Sequence, residues 1–65
     1  MRKRVKIVMG LENTIIKGSI EDEDLNDLIS TYEKWLGEDL MYDVKFKEYE
    51  HCYINIYFIR AIIID

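Results

Sequence analysis

The stretch YINIYFIRAIIID, residues 53–65, decides how this chain can fold, because ten of its thirteen positions are apolar or aromatic. Taken as one strand, residues 53–64 turn apolar side chains toward both faces, since successive side chains of a strand point in opposite directions. A strand of this kind is typically covered on both sides. The sequence therefore predicts a last strand that needs two layers of cover.

One source of that cover is a single amphipathic helix, which can cover only one face of a small sheet. A second copy of the chain is the simplest source of the other layer, so we predict a two-fold homodimer with facing sheets. The predicted interface comprises Tyr53, Tyr57, Ile59, Arg60, Ala61 and Ile63. The alternative is a sharp turn near Phe58 to Arg60 that divides the run into two short strands.

The first twenty residues predict an antiparallel hairpin. Val5, Ile7 and Met9 recur with the two-residue period of a strand that has one wet face. Residues 10–13 (GLEN) are typical of a turn, and residues 13–20 can return as the second strand.

The clearest helix signal lies in SIEDEDLNDLISTYEKWLG, residues 19–37. Ser19 and Asp22 resemble a capping box, and Gly37 can end the helix. The apolar positions share the spacing of one helical face: Leu25, Leu28, Ile29, Tyr32, Trp35 and Leu36.

A third strand is predicted in LMYDVKFKEYE, residues 40–50, with Leu40, Tyr42, Val44 and Phe46 on one side. Residues 48–51 then turn the chain into the last strand. The prediction is one α+β domain over residues 1–65, in the order β-β-α-β-β, with an antiparallel sheet and one helix packed on one face.

Composition limits the chemistry. The chain has one cysteine, Cys52, and one histidine, His51, which excludes an internal disulfide and a zinc site of the usual four ligands. Because adjacent residues of a strand point to opposite faces, these two do not predict a catalytic pair. We expect no enzyme activity, cofactor or metal.

The sequence shows no export signal, and its terminal apolar run is interrupted and shorter than the roughly 20 residues of a membrane span. We therefore expect a cytoplasmic protein with a reduced thiol and no membrane contact.

Charge is unevenly distributed in a chain with a net charge of −4 and a pI of about 4.9. The candidate partner surface is acidic and comprises Glu21, Asp22, Glu23, Asp24 and Asp27. Negative charge at this position also complements a helix dipole and favours solubility. The protein-facing alternative is a role such as mimicry of nucleic acid.

A basic surface provides another interpretation. Its residues are Arg4, Lys6, Lys45 and Lys47, with Tyr42, Tyr49 and Tyr57 as stacking planes. Charge with aromatic planes is typical of single-stranded nucleic-acid binding. The acidic pI argues against it, because nucleic-acid-binding domains are usually clearly basic.

The layout resembles that of small β-β-α-β-β accessory proteins of phages and prophages from low-GC Gram-positive bacteria. The matching pieces are KRVKIVMGLEN, EDEDLNDLISTYEKWLG and INIYFIRAII. The resemblance implies an accessory role, often the binding and inhibition of a host protein, and it assigns no functional residue.

The expected function is that of a small non-catalytic protein-binding module, a phage-type inhibitor or regulator that acts as a homodimer. Nucleic-acid binding through the basic surface is the alternative. An accessory protein with no discrete site is the third interpretation.

Overall fold

Five strands and one helix form the part of the chain that the computed structural model describes, residues 1–10 and 14–65. The strands are β1 (Arg2–Met9), β2 (Thr14–Glu21), β3 (Met41–Asp43), β4 (Tyr53–Asn55) and β5 (Ile59–Ile64). The helix α1 spans Asp22–Glu33, and a 3-10 turn spans Ile56–Phe58. The predicted α+β class and β-β-α-β-β order are confirmed, with the last predicted strand divided in two.

The N-terminal hairpin forms as predicted. β1 pairs antiparallel with β2 on one side and with β5 on the other, so it is the central strand of a three-stranded sheet. Val5 and Ile7 point into the core, and Arg4 and Lys6 alternate with them. Residues 11–13 of the predicted turn lie outside the described residues.

The prediction of one continuous last strand is wrong, and the alternative of two short strands is confirmed. The break falls at the turn Ile56–Phe58, slightly earlier than expected. Asn55 explains it: its side-chain oxygen accepts hydrogen bonds from the backbone N–H of Tyr57 at 3.0 Å and of Leu40 at 3.2 Å. An asparagine that bonds the backbone two residues on favours a turn over a continuing strand.

A second, two-stranded sheet formed by β3 and β4 corrects the expectation of a single sheet covered by a helix alone. One core lies against the inner face of the three-stranded sheet. Helix α1, the β3–β4 hairpin and the segment that follows β3 all contribute side chains to it. The buried side chains are Val5, Ile7, Ile20, Leu25, Leu28, Val44, Phe46, Ile54, Ile56 and Ile59. The chain thus supplies more cover for its inner face than the sequence indicated.

The helix is shorter at both ends than predicted. β2 continues through Glu21, and Ser19 lies within that strand, so the predicted capping box does not form. The backbone N–H of Asp22 instead donates to the carbonyl of Met1 at 3.0 Å. Leu36 lies beyond the helix and is 87% exposed, so it is not part of the core-facing stripe.

The third predicted strand has regular pairing only over Met41–Asp43. Its alternation nevertheless continues, because Val44 and Phe46 are buried whereas Lys45 and Lys47 are exposed. Phe46 packs against Gly18 so closely that a Cβ at position 18 would lie 2.7 Å from the phenyl ring. Gly18 is therefore required by this contact rather than by its backbone angles.

Candidate functional site

The three-stranded sheet has a second face, opposite the core, that we call the outer face. The registers place its side chains in rows: Val8 of β1 lies between Ile15 of β2 and Ala61 of β5, and Lys6 lies between Lys17 and Ile63. Arg4 and Ser19 form the next row. Three paired strands thus build one regular face.

The outer face combines an apolar centre with a basic border. Ile15 is 53% exposed and Ile63 is 46% exposed, and Val8 and Ala61 lie half-buried between them. Exposed apolar side chains that adjoin one another, with polar residues around them, are typical of interaction sites. Lysines next to such a group favour a partner surface that carries acids.

Lys17 is a member of this surface that the sequence analysis missed. The register places Lys17 directly across from Lys6, so two ammonium groups and the Arg4 guanidinium border the apolar centre. The alternation of the predicted hairpin was the available signal, because it fixes which residues of the second strand share a face with Lys6.

The predicted basic surface is only partly assembled. Arg4 and Lys6 lie on the outer face, and Lys47 lies beside Ser19 at the edge of β2. Lys45 is engaged elsewhere, because its ammonium lies 2.8 Å from the carboxylate of Asp43. This contact raises the pKa of Lys45 and, with the Cys52 backbone N–H, lowers the pKa of Asp43.

The tyrosines assigned to the basic surface do not border the outer face together. Tyr42 donates a hydrogen bond to Asp27, and burial together with that carboxylate raises its pKa. Tyr49 donates to the carbonyl of Lys17 at 3.2 Å, at the edge of β2. Tyr57 packs edge-on against Trp35, with ring centroids 5.7 Å apart.

The predicted acidic surface is divided among several contacts. Glu21 lies 3.5 Å from the Arg2 guanidinium, and Asp22 lies 3.0 Å from the Lys3 ammonium. Asp27 accepts from Tyr42. Glu23 and Asp24 lie in the first turn of α1, where negative charge complements the helix dipole. Three of the five carboxylates thus contribute to the chain's own contacts.

The predicted dimer interface is not one surface. Tyr53 lies on β4, in the smaller sheet, and Tyr57 lies in the turn. The assignment of Ile59 is wrong, because Ile59 is 7% exposed and belongs to the core. Ala61 and Ile63 lie on the outer face, and Arg60 is exposed at the register shift between β5 and β1.

His51 and Cys52 form no nucleophile–base arrangement. The His51 ring stacks on Tyr53, with centroids 5.5 Å apart, and the Cys52 backbone N–H donates to Asp43 at 3.2 Å. Burial, followed by the charge of Asp43, raises the pKa of the Cys52 thiol. A raised pKa reduces the thiolate fraction at neutral pH, which is the reactive form.

The edge of β2 that faces away from β1 is closed by the chain itself, and we call it the covered edge. The backbone N–H of Lys47 donates to the Ser19 carbonyl at 2.9 Å. The Glu48 carboxylate accepts from the Ser19 backbone N–H at 2.8 Å and from its hydroxyl at 2.9 Å. These bonds lower the pKa of Glu48.

Residues 1–10 and 14–65 enclose no pocket, and they contain no group of three or more His, Cys, Asp and Glu side chains placed to hold a metal ion. No helix in these ranges has the length and hydropathy of a membrane span. The surface features of the molecule are therefore the candidates for function. Comparisons with protein-family models, with curated proteins and with solved structures found no match for the chain.

Proposed function

We propose that this chain is a non-catalytic protein-binding module that acts as a homodimer and binds its partner through the outer face. The observation that carries the proposal is the exposed apolar group of that face, in particular Ile15 and Ile63, bordered by Lys6 and Lys17. The partner has an apolar surface with acidic residues around it, because that chemistry complements the outer face.

The proposed setting is the cytoplasm, with the chain as a phage-type inhibitor or regulator of a host protein. This setting rests on the resemblance in sequence pattern to phage accessory proteins. A rigid sheet face of this kind suits inhibition, since a regular surface binds without ordering a flexible segment first.

The test is capture of a partner from a lysate of a low-GC Gram-positive bacterium on immobilised chain, with two variants. Ile15→Glu places a carboxylate in the apolar centre of the outer face. Met41→Glu is the matched control, because Met41 is 62% exposed and lies in the smaller sheet, away from that face.

We expect a protein that wild type and Met41→Glu retain and Ile15→Glu loses. Equal retention by all three would place the binding surface elsewhere. Recovery of nothing above background by wild type would remove the motivation for a protein-binding function.

Nucleic-acid binding is the second candidate, and the position of Lys17 favours it. Lys17 adds a third cation to Arg4 and Lys6 on one face, which the sequence analysis had not included. This function predicts a mobility shift with a labelled single-stranded oligonucleotide that weakens steeply as salt rises. Lys17→Glu should then weaken binding, and absence of a shift at low salt contradicts it.

A further inference from the structure

Some backbone N–H and C=O groups of β5 point toward β1, and others point away from it. The Asp65 backbone N–H donates to the Arg4 carbonyl at 3.0 Å, and the Gly10 N–H donates to the Phe58 carbonyl at 2.6 Å. Alternate residues of an antiparallel strand bond to opposite neighbours. The register therefore turns the N–H and C=O groups of Ile62 and Ile64 away from β1.

These groups meet no partner within residues 1–10 and 14–65. β5 is the last strand of its sheet, and none of the described loops or side chains bonds to the backbone of Ile62 or Ile64. β5 holds no proline, and its one charged residue, Arg60, precedes segment 61–64 at the register shift. Segment 61–64 therefore lacks the proline and the charges that usually protect an edge. We call this side of β5 the open edge.

We propose that the open edge is the self-association site of the chain, where β5 pairs antiparallel with β5 of a second copy. The two three-stranded sheets then form one continuous sheet. This inference rests on the homodimer of the proposed function and names its geometry, which differs from the face-to-face dimer that the sequence predicted.

One register fits both copies. With Ile63 on the two-fold axis, Ile62 of each copy lies across from Ile64 of the other, and the outward N–H and C=O groups of these pairs bond to each other. A shift by one residue would join the inner face of one copy to the outer face of the other. A shift by two in one direction would place Arg60 across from Ile64, and in the other direction it would place Asp65 across from Ile63. Either shift sets a charged residue against the apolar row.

Burial favours the same register. Ile64 is 45% exposed because none of the described strands lies beyond β5, and it belongs to the inner-face row of Val5 and Gly18. In the proposed dimer Ile62 of the second copy extends that row and covers Ile64. The two apolar rows of the inner face thereby continue across the axis.

Charge does not oppose this contact. The nearest cation of the outer face in each copy is Lys6, one strand away from Ile63. The two Lys6 residues would stand about three strand spacings, roughly 14 Å, apart. This separation exceeds the Debye length of about 8 Å at physiological ionic strength. A second copy therefore bonds the outward backbone groups, continues the apolar rows and keeps the Lys6 charges apart.

Amide hydrogen exchange by NMR tests the proposal on the wild-type protein, alongside sedimentation analysis over a range of concentrations. In the dimer, Ile62 and Ile64 amides should be protected and should lose protection as dilution produces monomer. The Ile63 amide points toward β1 and should be protected in both states. A dimer whose Ile62 and Ile64 amides exchange as fast as exposed ones would overturn the proposal.

A pair of variants separates the backbone contact from the side chain. Ile64→Pro removes an N–H that points away from β1, so the bonds within the chain remain, as is usual for proline on an edge strand. Ile64→Ala removes most of the side chain and keeps the N–H. By symmetry the proline removes two hydrogen bonds from the dimer, which raises the dissociation constant about thirtyfold relative to the alanine variant.

Equal dissociation constants for the two variants would contradict edge pairing. The failure of this inference is also distinguishable from failure of the proposed function. A chain that is monomeric at every concentration overturns this inference and the homodimer of the proposed function, but it leaves partner capture and its loss in Ile15→Glu unaffected. A dimer that Ile15→Glu dissociates and Ile64→Pro does not is a face-to-face dimer, which overturns edge pairing. The Ile62 and Ile64 amides could also be protected only after an extended peptide from another protein is added. That result would overturn the second copy as the occupant of the open edge.

Discussion

The two edges of the three-stranded sheet are treated differently by the same short chain. At the covered edge, Lys47, Glu48 and Tyr49 supply a backbone N–H, a carboxylate and a hydroxyl to the outward groups of β2. At the open edge, the outward groups of Ile62 and Ile64 have no such partners among the described residues.

The covered edge shows that the edge of a sheet can be closed without another strand. Segment 44–49 closes β2 with three groups of different chemistry, and Phe46 of the same segment packs on Gly18 of β2. Within residues 1–10 and 14–65, no comparable segment bonds to the outward groups of β5. The covered edge is closed by a segment whose Phe46 belongs to the core, whereas the open edge has no bonding partner among the described residues. Substitutions at the two edges should therefore have different effects.

The largest effect is expected from removal of the aromatic ring that holds the covered edge. Phe46 is 3% exposed, so Phe46→Ala should lower the free energy of unfolding by about 3–5 kcal/mol, measured by urea denaturation. Tyr53→Ala is the control, because Tyr53 is 62% exposed. This substitution should lower the free energy of unfolding by less than about 1 kcal/mol. Similar losses for both would show that Phe46 does not anchor this edge.

A smaller loss is expected when Gly18 acquires a methyl group. Gly18→Ala should destabilise the fold by about 1–3 kcal/mol, because the Phe46 ring must move away from the new Cβ. Combined with Phe46→Leu in a double-mutant cycle, it should cost clearly less than the sum of the two single losses. Additive losses would mean that the two positions do not share the contact.

The carboxylate at the covered edge predicts a small dependence on pH. The hydrogen bonds from the Ser19 N–H and hydroxyl lower the pKa of Glu48 below its ordinary value of 4.5. A lowered folded-state pKa means that these bonds stabilise the fold fully above that value, and the stabilisation is lost as pH falls through the lowered pKa.

Ser19→Ala removes the hydroxyl donor and tests this dependence. Its melting temperature should lie slightly below that of wild type at neutral pH, and the gap should narrow in acid as Glu48 is protonated in both proteins. The contribution of Asp43, whose pKa is also lowered, is common to both proteins and cancels. A gap that stays constant from neutral to acid pH would exclude the carboxylate as its cause.

The smallest effect on stability is expected at the open edge. Ile63→Glu places a carboxylate across from Lys6, so the free energy of unfolding of the monomer should change by no more than about 0.5 kcal/mol. Self-association should nevertheless weaken, because two like charges then face each other across the proposed axis. Ile63→Lys is the comparison variant, with a like charge next to Lys6. A large loss of stability in Ile63→Glu would show that this edge matters to the monomer.

The N-terminal hairpin could be predicted because its signal is local. Alternation of Val5 and Ile7 with Arg4 and Lys6 specifies the buried face without reference to the rest of the chain. The start of the helix could not be predicted, because Ser19 is held in β2 by Glu48, a residue far along the chain. Division of the last run was an alternative that the sequence offered, but the position of the break also involves the distant contact of Asn55 with Leu40.

The candidate site was predictable only in part for the same reason. The position of Arg4, Lys6 and Ile63 on the outer face follows from alternation, which is a property of single strands. The direction of the Ile62 and Ile64 backbone groups depends on how β1 and β5 are aligned, and this alignment includes a register shift between Val8 and Met9. No local pattern encodes such a shift.

The central position of β1 also has a kinetic consequence. Its partner β2 begins at Thr14, soon after β1 ends at Met9, but its other partner, β5, lies almost the whole length of the chain away. Closing so long a loop costs conformational entropy before any contact repays it, and folds rich in distant pairings fold slowly for their size. The hairpin can therefore form early, whereas the β1–β5 ladder waits for the rate-limiting step. Until then β1 exposes an unpaired edge of its own, so the refolding yield should fall as protein concentration rises.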